Sequence, residues 1–436
     1  MPLRHLTPRD QHLFWQYGRG ADVPVHEPLV HRAIERHAIA HPHAVAAEHH
    51  GATLTYGELD RYAGALAARL VREGVRPGDH VGLFARRSIP MLVGLFAVLK
   101  AGAAYVPQDI GRTPPAELAH VIRTARTRVI LTQKEHVPRV PLPGGHRLIA
   151  LDDPAPYDPG PGPLLPPHPD DGCCVLFVPG TAGRRAHGVT LTHRNIANLL
   201  LTEPGGLGIR PGDRVAQLLG IASGPAAWEI LGCLTHGATL AIRGKDTDAT
   251  ARTATVLIAT PALLSGIDPA DCPHLRTVAV TGEPCPRPLA DRWSRRTAFF
   301  HCRGPAEATL VTTMGRHTPV AGRPVAGRAL PNNTVYVLGA DRRALPVGET
   351  GEVWAGGDSV SAGYLGDDAL NAERYAPDPF LGAGHAMFRT GDLGRWTPDG
   401  DLEHLGRPAD RLGPPDKRPL LRLAGERTAA TVTVTR

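Results

Sequence analysis

Residues 54–109 read LTYGELDRYAGALAARLVREGVRPGDHVGLFARRSIPMLVGLFAVLKAGAAYVPQD. Thr55, with Glu58 three residues on, makes a capping box. Behind it Leu59, Tyr62, Ala63, Leu66 and Leu70 recur at helical spacing. Residues 74–79 (GVRPGD) are turn chemistry, and Val81–Phe84 reads as a short strand. Pro90–Lys100 reads as the next helix, closed by Gly102, and Ala104–Pro107 as another strand. Helices alternating with strands predict α/β units around a mainly parallel sheet.

The alternation extends both ways. Residues 28–41 place Leu29, Val30, Ala33, Ile34 and His37 on one helical face. Further on, strands are expected at Val175–Val178, Thr239–Ile242, Val256–Ala259 and Thr277–Thr281, with helices at Thr192–Leu201 and Ala227–Leu234. Residues 138–169 carry eleven prolines in 32 positions, which excludes helix and inner strand and predicts a surface connection between two lobes. From about 320 the pattern changes to short strands with turns (Thr334–Leu338, Gly351–Ala355, Asp401–Leu405), an antiparallel β unit. The expected lobes are 1–170, 171–320 and 321–408, with 409–436 an arginine- and proline-rich tail.

Composition narrows the function. The 436 residues are 42% hydrophobic, enough for sizeable cores, and 48 basic residues against 42 acidic leave a net charge of only +6. No run of five like charges occurs and aromatics are 5%, which argues against nucleic-acid binding. No long apolar run or signal-peptide stretch is present, so no membrane partner and a soluble, cytoplasmic protein are expected. Six cysteines without a CxxC spacing indicate neither a disulfide framework nor zinc. His37, His41, His43, His49 and His50 read as solvated, and Cys173-Cys174 as core.

Three short motifs can carry chemistry. VPGTAGRRAHGV (178–189) is a glycine-rich turn, read as lying between a strand and a helix, where backbone N–H groups can face a phosphate. It lacks the GxxxxGK(S/T) spacing, and such loops are more often plain turns. FRTGDL (388–393) offers Asp392, whose carboxylate can accept two ribose hydroxyls; the plainer reading is a β-turn. HCRGPAEATL (301–310) offers Glu307, a carboxylate suited to magnesium.

The order of the longer motifs is more specific. LTYGELDRYAGALAARL (54–70), LKAGAAYVPQD (99–109), the glycine-rich loop, AAWEILGCLTHGATL (226–240), RGPAE (303–307), GETGEVWAGGDSVSAGYLG (348–366), NAERYAPDPF (371–380) and FRTGDLGRWTPDGDLEHLGR (388–407) form one series. From about residue 11 to about 410 the chain resembles nonribosomal-peptide-synthetase adenylation domains, within the adenylate-forming superfamily of acyl-CoA synthetases and luciferase. The resemblance implies a large N-terminal core, residues 1–408, of two α/β lobes with mainly parallel sheets plus a β-barrel-like lobe. It implies ATP and Mg²⁺ as cofactors, adenylation of a carboxylate, and transfer to a peptidyl carrier protein, with other synthetase domains as partners. Residue by residue, it implies Thr181, Gly183, Arg184, Arg303, Glu307, Asp392 and Arg407 at the nucleotide, with Glu307 on the metal. The acyl pocket would be Gly224, Pro225, Trp228, Ile258, Ala279, Thr281, Cys302, Leu310 and Val311.

The departures from the family lie at functional positions. The family's TSG(S/T)TGxPKG loop has Val178, Pro179 and Ala182 in place of three hydroxyl residues, with Thr181, Arg184 and Arg185 left as contacts. Its lysine position is held by His187 or by no equivalent. The stacking tyrosine of NxYGPTE is Arg303, and its threonine is Ala306. The aspartate that pairs with a substrate ammonium aligns with Gly224, which leaves no acid in the pocket; a buried ammonium without a partner costs several kcal/mol. The segment between Ile242 and Val256 is short, which predicts a curtailed helix on the pocket wall. The GRxDxQ hinge reads GRPADR, with Asp410 displaced, and residues 409–436 leave no room for a lysine-bearing C-terminal subdomain of roughly 100 residues. Cys302 is a candidate reactive thiol. The first reading is a degenerate adenylation domain, with ATP and Mg²⁺ binding weak or lost, serving as a scaffold or docking module. The second is a divergent adenylate-forming ligase for a non-amino carboxylic acid. The third is a nucleotide-binding regulator without turnover.

Overall fold

The computed structural model describes residues 3–142, 144–152, 167–180, 185–319 and 326–407. Thr55 Oγ1 accepts from the Glu58 amide, and Glu58 Oε2 accepts from the Thr55 amide at 2.9 Å. This capping box satisfies two otherwise orphaned donors and starts the helix Tyr56–Arg72, which buries Leu59, Ala63 and Leu70. Ser88 caps Ile89–Lys100 with a single bond, its hydroxyl oxygen accepting from the Met91 amide. The strand His80–Ala85 then lies parallel to Ala104–Asp109, from His80 opposite Ala104 to Ala85 opposite Asp109.

Three sheets result. The first has six strands in the spatial order Arg147–Ala150, Val129–Thr132, His80–Ala85, Ala104–Asp109, Gly172–Val178 and His187–Thr192. The second has nine, in the order Arg328–Ala329, Thr313–Arg316, Ala298–Arg303, Thr277–Val280, Val256–Ala259, Arg214–Gln217, Thr239–Ile242, Val45–His49 and Ala52–Thr55. Its inner pairs are parallel and its outer pairs antiparallel. The third is antiparallel: Asn333–Leu338, Gly351–Gly357, Ala386–Trp396 and Tyr375–Pro377, with Leu402–Gly406 also paired to Ala386–Trp396.

Three expectations need correcting. The sheets do not follow the lobe bounds: Val45–His49 and Ala52–Thr55 join the second sheet, while Gly172–Val178 and His187–Thr192 close the first. The glycine-rich segment joins two antiparallel strands, Gly172–Val178 and His187–Thr192, not a strand and a helix. The helix His193–Leu201 starts only after the second of them, so its N-terminal dipole is not at that loop. The third concerns the segment after Ile242. Its helix is indeed short, Thr247–Arg252, but it buries Ala251 with Leu257 and Val278. Ile258 and Ala279 face the other core, because side chains alternate across a sheet. This helix is therefore not a pocket wall. Within the proline-rich stretch, Arg147–Ala150 forms an edge strand, the position prolines nearby permit; residues 153–166 and the tail from 408 lie outside the described residues. No helix among the described residues is long and apolar enough to cross a membrane.

Two histidines lie inside the core between the helices Val30–Ala40 and His193–Leu201. Their rings are 5.5 Å apart, and the Val30 amide donates to His193 Nδ1 at 3.4 Å. Burial lowers the pKa of His31 to about 4, with Lys100 and Arg32 adding to it, and lowers His193 to about 3, with His31 adding. Both are neutral in the folded chain at pH 7. Below the unfolded value near 6.5 the unfolded chain binds protons that the native chain refuses. Stability is therefore intact above about pH 6.5 and falls as pH drops toward 4, by up to about 1.4 kcal/mol per histidine per pH unit. Urea unfolding at about pH 7 and pH 5 should show a lower midpoint at the acid end, with a smaller difference in His31→Leu. Equal midpoints would remove this account.

Candidate active site

Asp392 follows Gly391, whose φ of +78° turns the backbone at the middle of the strand Ala386–Trp396. Thr390 locks that turn: its hydroxyl donates to the Val353 carbonyl at 2.6 Å and accepts from the Asp392 amide at 3.1 Å. Arg407 Nε donates to Asp392 Oδ1 at 3.1 Å. On the other side, His404 Nδ1 lies 3.8 Å from Oδ2. Arg303, at the end of the strand Ala298–Arg303, is close enough for Asp392 to oppose the lowering of its pKa by burial. Its Nε is buried without a hydrogen-bond partner. Arg303 from one motif and Asp392 and Arg407 from the two ends of another thus lie together. His404 completes the group and is not among the residues the sequence singles out, although HLGR stands beside Arg407.

Glu307 sits on a short 3₁₀ turn, Ala306–Ala308. Gly304 precedes it where any Cβ would press on the Thr312 amide at 2.6 Å, so only glycine fits. Tyr364 donates its hydroxyl to Glu307 Oε1 at 2.6 Å. Tyr364 is held in turn: its amide donates to Asn371 Oδ1 at 2.8 Å, and Asn371 Nδ2 donates to its carbonyl at 2.9 Å. Burial, then the Glu307 charge, pushes the Tyr364 hydroxyl above its usual range, so it remains a donor. His187 faces Asp367 at 3.5 Å, with its ring 5.8 Å from Tyr364, so it lies beside this cluster. Thr181, Gly183 and Arg184 lie outside the described residues.

These residues fit the implied cofactors. Mg²⁺ takes one or two carboxylates and completes its shell with phosphates and water. Among the described residues no group of three potential ligands is assembled, so Glu307 would hold the ion together with phosphates. Asp392 presents a carboxylate with 25% of its side chain accessible, the paired acceptor a ribose diol needs.

The pocket implied by resemblance is brought together in part. Ile258 pairs with Ala279 across adjacent parallel strands. These two, with Cys302, Leu310 and Val311, are buried in one core cluster; Thr281 is also buried, and Pro225 is half-buried. No acid is among them. Gly224 opens the helix Gly224–Thr235, and a Cβ there would collide with the Leu310 side chain and touch Leu176. Leu310 and Thr309 both have positive φ, +67° and +50°, and Thr309 is tied down by its hydroxyl donating to the Ser359 carbonyl at 2.6 Å. Leucine fills the place where an ammonium-binding aspartate would stand. We expect Gly224→Asp to destabilise the chain by about 1–3 kcal/mol through overpacking, read as a lower thermal midpoint, without creating affinity for an amino acid.

Trp228 is 1% exposed and donates from Nε1 to the Gly205 carbonyl at 2.9 Å, so it packs in the same core cluster as Ile258, Ala279 and Cys302. Burial pushes the Cys302 thiol up, which leaves it protonated and inert. The Glu229 beside Trp228 is also structural. It accepts from the Leu218 and Leu219 amides, and burial raises its pKa to about 8 despite those bonds and the nearby Arg87 and Arg243.

A family model described as AMP-binding enzyme matches residues 34–365. The chain belongs to the AMP-binding enzyme family. Adenylate-forming reductase 06235 of Coprinopsis cinerea is 42% identical over 412 residues, 93% of this chain and 40% of the reductase. Tyrocidine synthase 1 of Brevibacillus parabrevis is 30% identical over 413 residues, 91% of this chain and 37% of the synthase. The chain therefore spans less than half the length of these relatives. The nonribosomal peptide synthetase FmoA3, solved as its α-methyl-L-serine-AMP bound form, superposes with a TM-score of 0.84 at 27% identity, over 92% of this chain and 47% of that one. The N-terminal subdomain of Klebsiella oxytoca NpsA, in complex with 3-hydroxybenzoyl-AMSN, superposes with a TM-score of 0.78 at 25% identity, over 89% and 98%. The fold is the N-terminal core of an adenylation domain, and the chain is an adenylate-forming, synthetase-like domain.

Proposed function

We propose that this domain binds Mg·ATP and joins AMP to a carboxylic acid that has no α-ammonium group, for delivery to a carrier protein. The observation that supports this best is a contrast within one site. The nucleotide side keeps tethered carboxylates, Asp392 with Arg407 and Glu307 with Tyr364. The acyl side is apolar, with Leu310 over Gly224. An aryl or aliphatic acid gains from apolar burial there, whereas an amino acid strands a charge.

In the chemistry, a substrate carboxylate oxygen attacks the α-phosphorus of ATP and pyrophosphate leaves. Asp392 would hold the ribose diol and Arg303 would face the base or phosphate side. Glu307 would share Mg²⁺ with the phosphates, and the ion would neutralise charge on the departing pyrophosphate. Tyr364 keeps Glu307 aimed.

The test uses stable acyl-adenylate mimics. A benzoyl-sulfamoyl adenosine should bind the full chain at least about tenfold more tightly than the phenylalanyl analogue, the difference a stranded charge imposes. Tighter binding of the aminoacyl analogue would overturn the acyl-side reading. The silent-scaffold reading is favoured by one specific observation. Pro179 stands at the end of the strand Gly172–Val178 and removes a backbone donor where the phosphate loop begins. Binding of neither analogue would support it.

A further inference from the structure

We infer that Gln217 selects the acyl substrate by hydrogen-bonding a hydroxyl at the end of the acid remote from its carboxylate. The inference rests on the reading that this domain adenylates an acid without an α-ammonium group, and it adds what that acid carries. Gln217 is 0% exposed, and among the described residues neither its Oε1 nor its Nε2 has a hydrogen-bond partner. A side-chain amide offers one acceptor and two donors. Burying it with none of them used is costly, and such groups in a folded chain call for a reason.

Its place in the sheet supplies the reason. Gln217 ends the strand Arg214–Gln217. The next strand in the chain, Thr239–Ile242, lies on one side of it, and the one after, Val256–Ala259, on the other. The carboxyl ends of parallel strands at such a reversal form a crevice where ligands bind. Side chains alternate across the sheet. Ala216 and Leu218 pack with Leu257 and Val278, whereas Val215 packs with Ile258 and Ala279, so Gln217 faces the Ile258 side. Val215 pairs with Val256, which sets Gln217 level with Ile258, and Ile258 pairs with Ala279. Gln217 thus extends the sheet wall of the implied acyl pocket by one strand. Three strand spacings, about 14 Å, separate its strand from that of Arg303. An acid whose carboxylate meets the nucleotide therefore presents its opposite end to this amide. The backbone beside Gln217 is clamped: Glu229 accepts from the Leu218 and Leu219 amides, and Arg87 donates to the Leu219 carbonyl at 3.1 Å. A fixed, unpaired amide discriminates well, because a ligand hydroxyl gives it a partner and an analogue lacking the hydroxyl leaves it stranded. Nothing in the mechanism above uses this residue.

The experiment measures binding of 4-hydroxycinnamoyl- and cinnamoyl-sulfamoyl adenosine, a pair that differs by one hydroxyl, to the full chain. Wild type should bind the hydroxylated analogue at least about tenfold more tightly. Gln217→Leu should abolish that preference by weakening the hydroxylated analogue, with the cinnamoyl analogue staying within about twofold. Its thermal midpoint should equal or exceed that of wild type, because leucine replaces an amide that has no bond to lose. Gln217→Met should give the same pattern and serves if the leucine variant does not fold. A preference that survives these substitutions overturns the proposal, as does a lowered midpoint in both variants, which would mark a structural amide. Equal binding of the pair by wild type, with the benzoyl analogue still bound, overturns the role of Gln217 alone. Binding of none of the three analogues removes the adenylation reading and this inference with it.

Discussion

Asp392→Ala should lower the affinity for Mg·ATP by at least about a hundredfold. A carboxylate accepting two ribose hydroxyls makes two charge-assisted bonds, each worth about 1.5–3 kcal/mol, and one such bond already accounts for roughly a tenfold change. The substitution also leaves Arg407 without the carboxylate it holds at 3.1 Å and Arg303 without its nearby anion. The fold should survive, because Asp392 is partly exposed and the turn is held by Thr390 and Gly391. Calorimetric titration reads the affinity, and thermal unfolding close to wild type confirms that the variant is intact. An affinity within a few fold of wild type would assign the ribose to another residue.

Trp228→Ala should have the largest effect on stability. Trp228 lies on the helix Gly224–Thr235 inside the main core, among residues that include Leu200, Ile209 and Leu231. Removing the indole leaves a cavity, at a cost of about 3–5 kcal/mol. It also strands the Gly205 carbonyl, which now accepts from Nε1 at 2.9 Å; an unsatisfied buried acceptor costs about 1–3 kcal/mol more. A domain with about 5–15 kcal/mol in hand would be close to unfolding. Trp228→Phe should lose less, since it keeps much of the apolar volume. The check is chemical denaturation of both variants beside wild type. If Trp228→Ala unfolds like wild type but changes acyl binding, Trp228 lines the pocket after all.

Trp228 also shows where sequence reading stops. Its helix is legible from AAWEIL, yet the direction of the indole depends on which side of the helix the Gly205 turn packs against. Signals are legible where the chemistry is local. Thr55 with Glu58 and Ser88 ahead of Pro90 fix helix starts by bonds within one turn. Strand pairing is not local: Val45–His49 joins the second sheet beside Thr239–Ile242, nearly two hundred positions away, and no composition shift marks it. The strand His187–Thr192 is hidden because its residues run straight from the glycine-rich loop into the cap of the next helix, with no turn residue between Thr192 and His193 to separate them. At the site, Arg303, Asp392 and Arg407 are legible through motif order. His404 is not, because its place near Asp392 comes from standing opposite Gly394 on a neighbouring strand. Leu310 over Gly224 needs the structure too, since two left-handed residues in succession are not signalled by Thr-Leu.

The central claim is that a working nucleotide site sits beside an apolar acyl pocket, and titration of Mg·ATP, and separately AMP, into the full chain tests it most directly. The account predicts saturable micromolar binding that Asp392→Ala removes. No detectable heat up to millimolar nucleotide would contradict it and would leave a vestigial cleft on a scaffold that works through its surfaces.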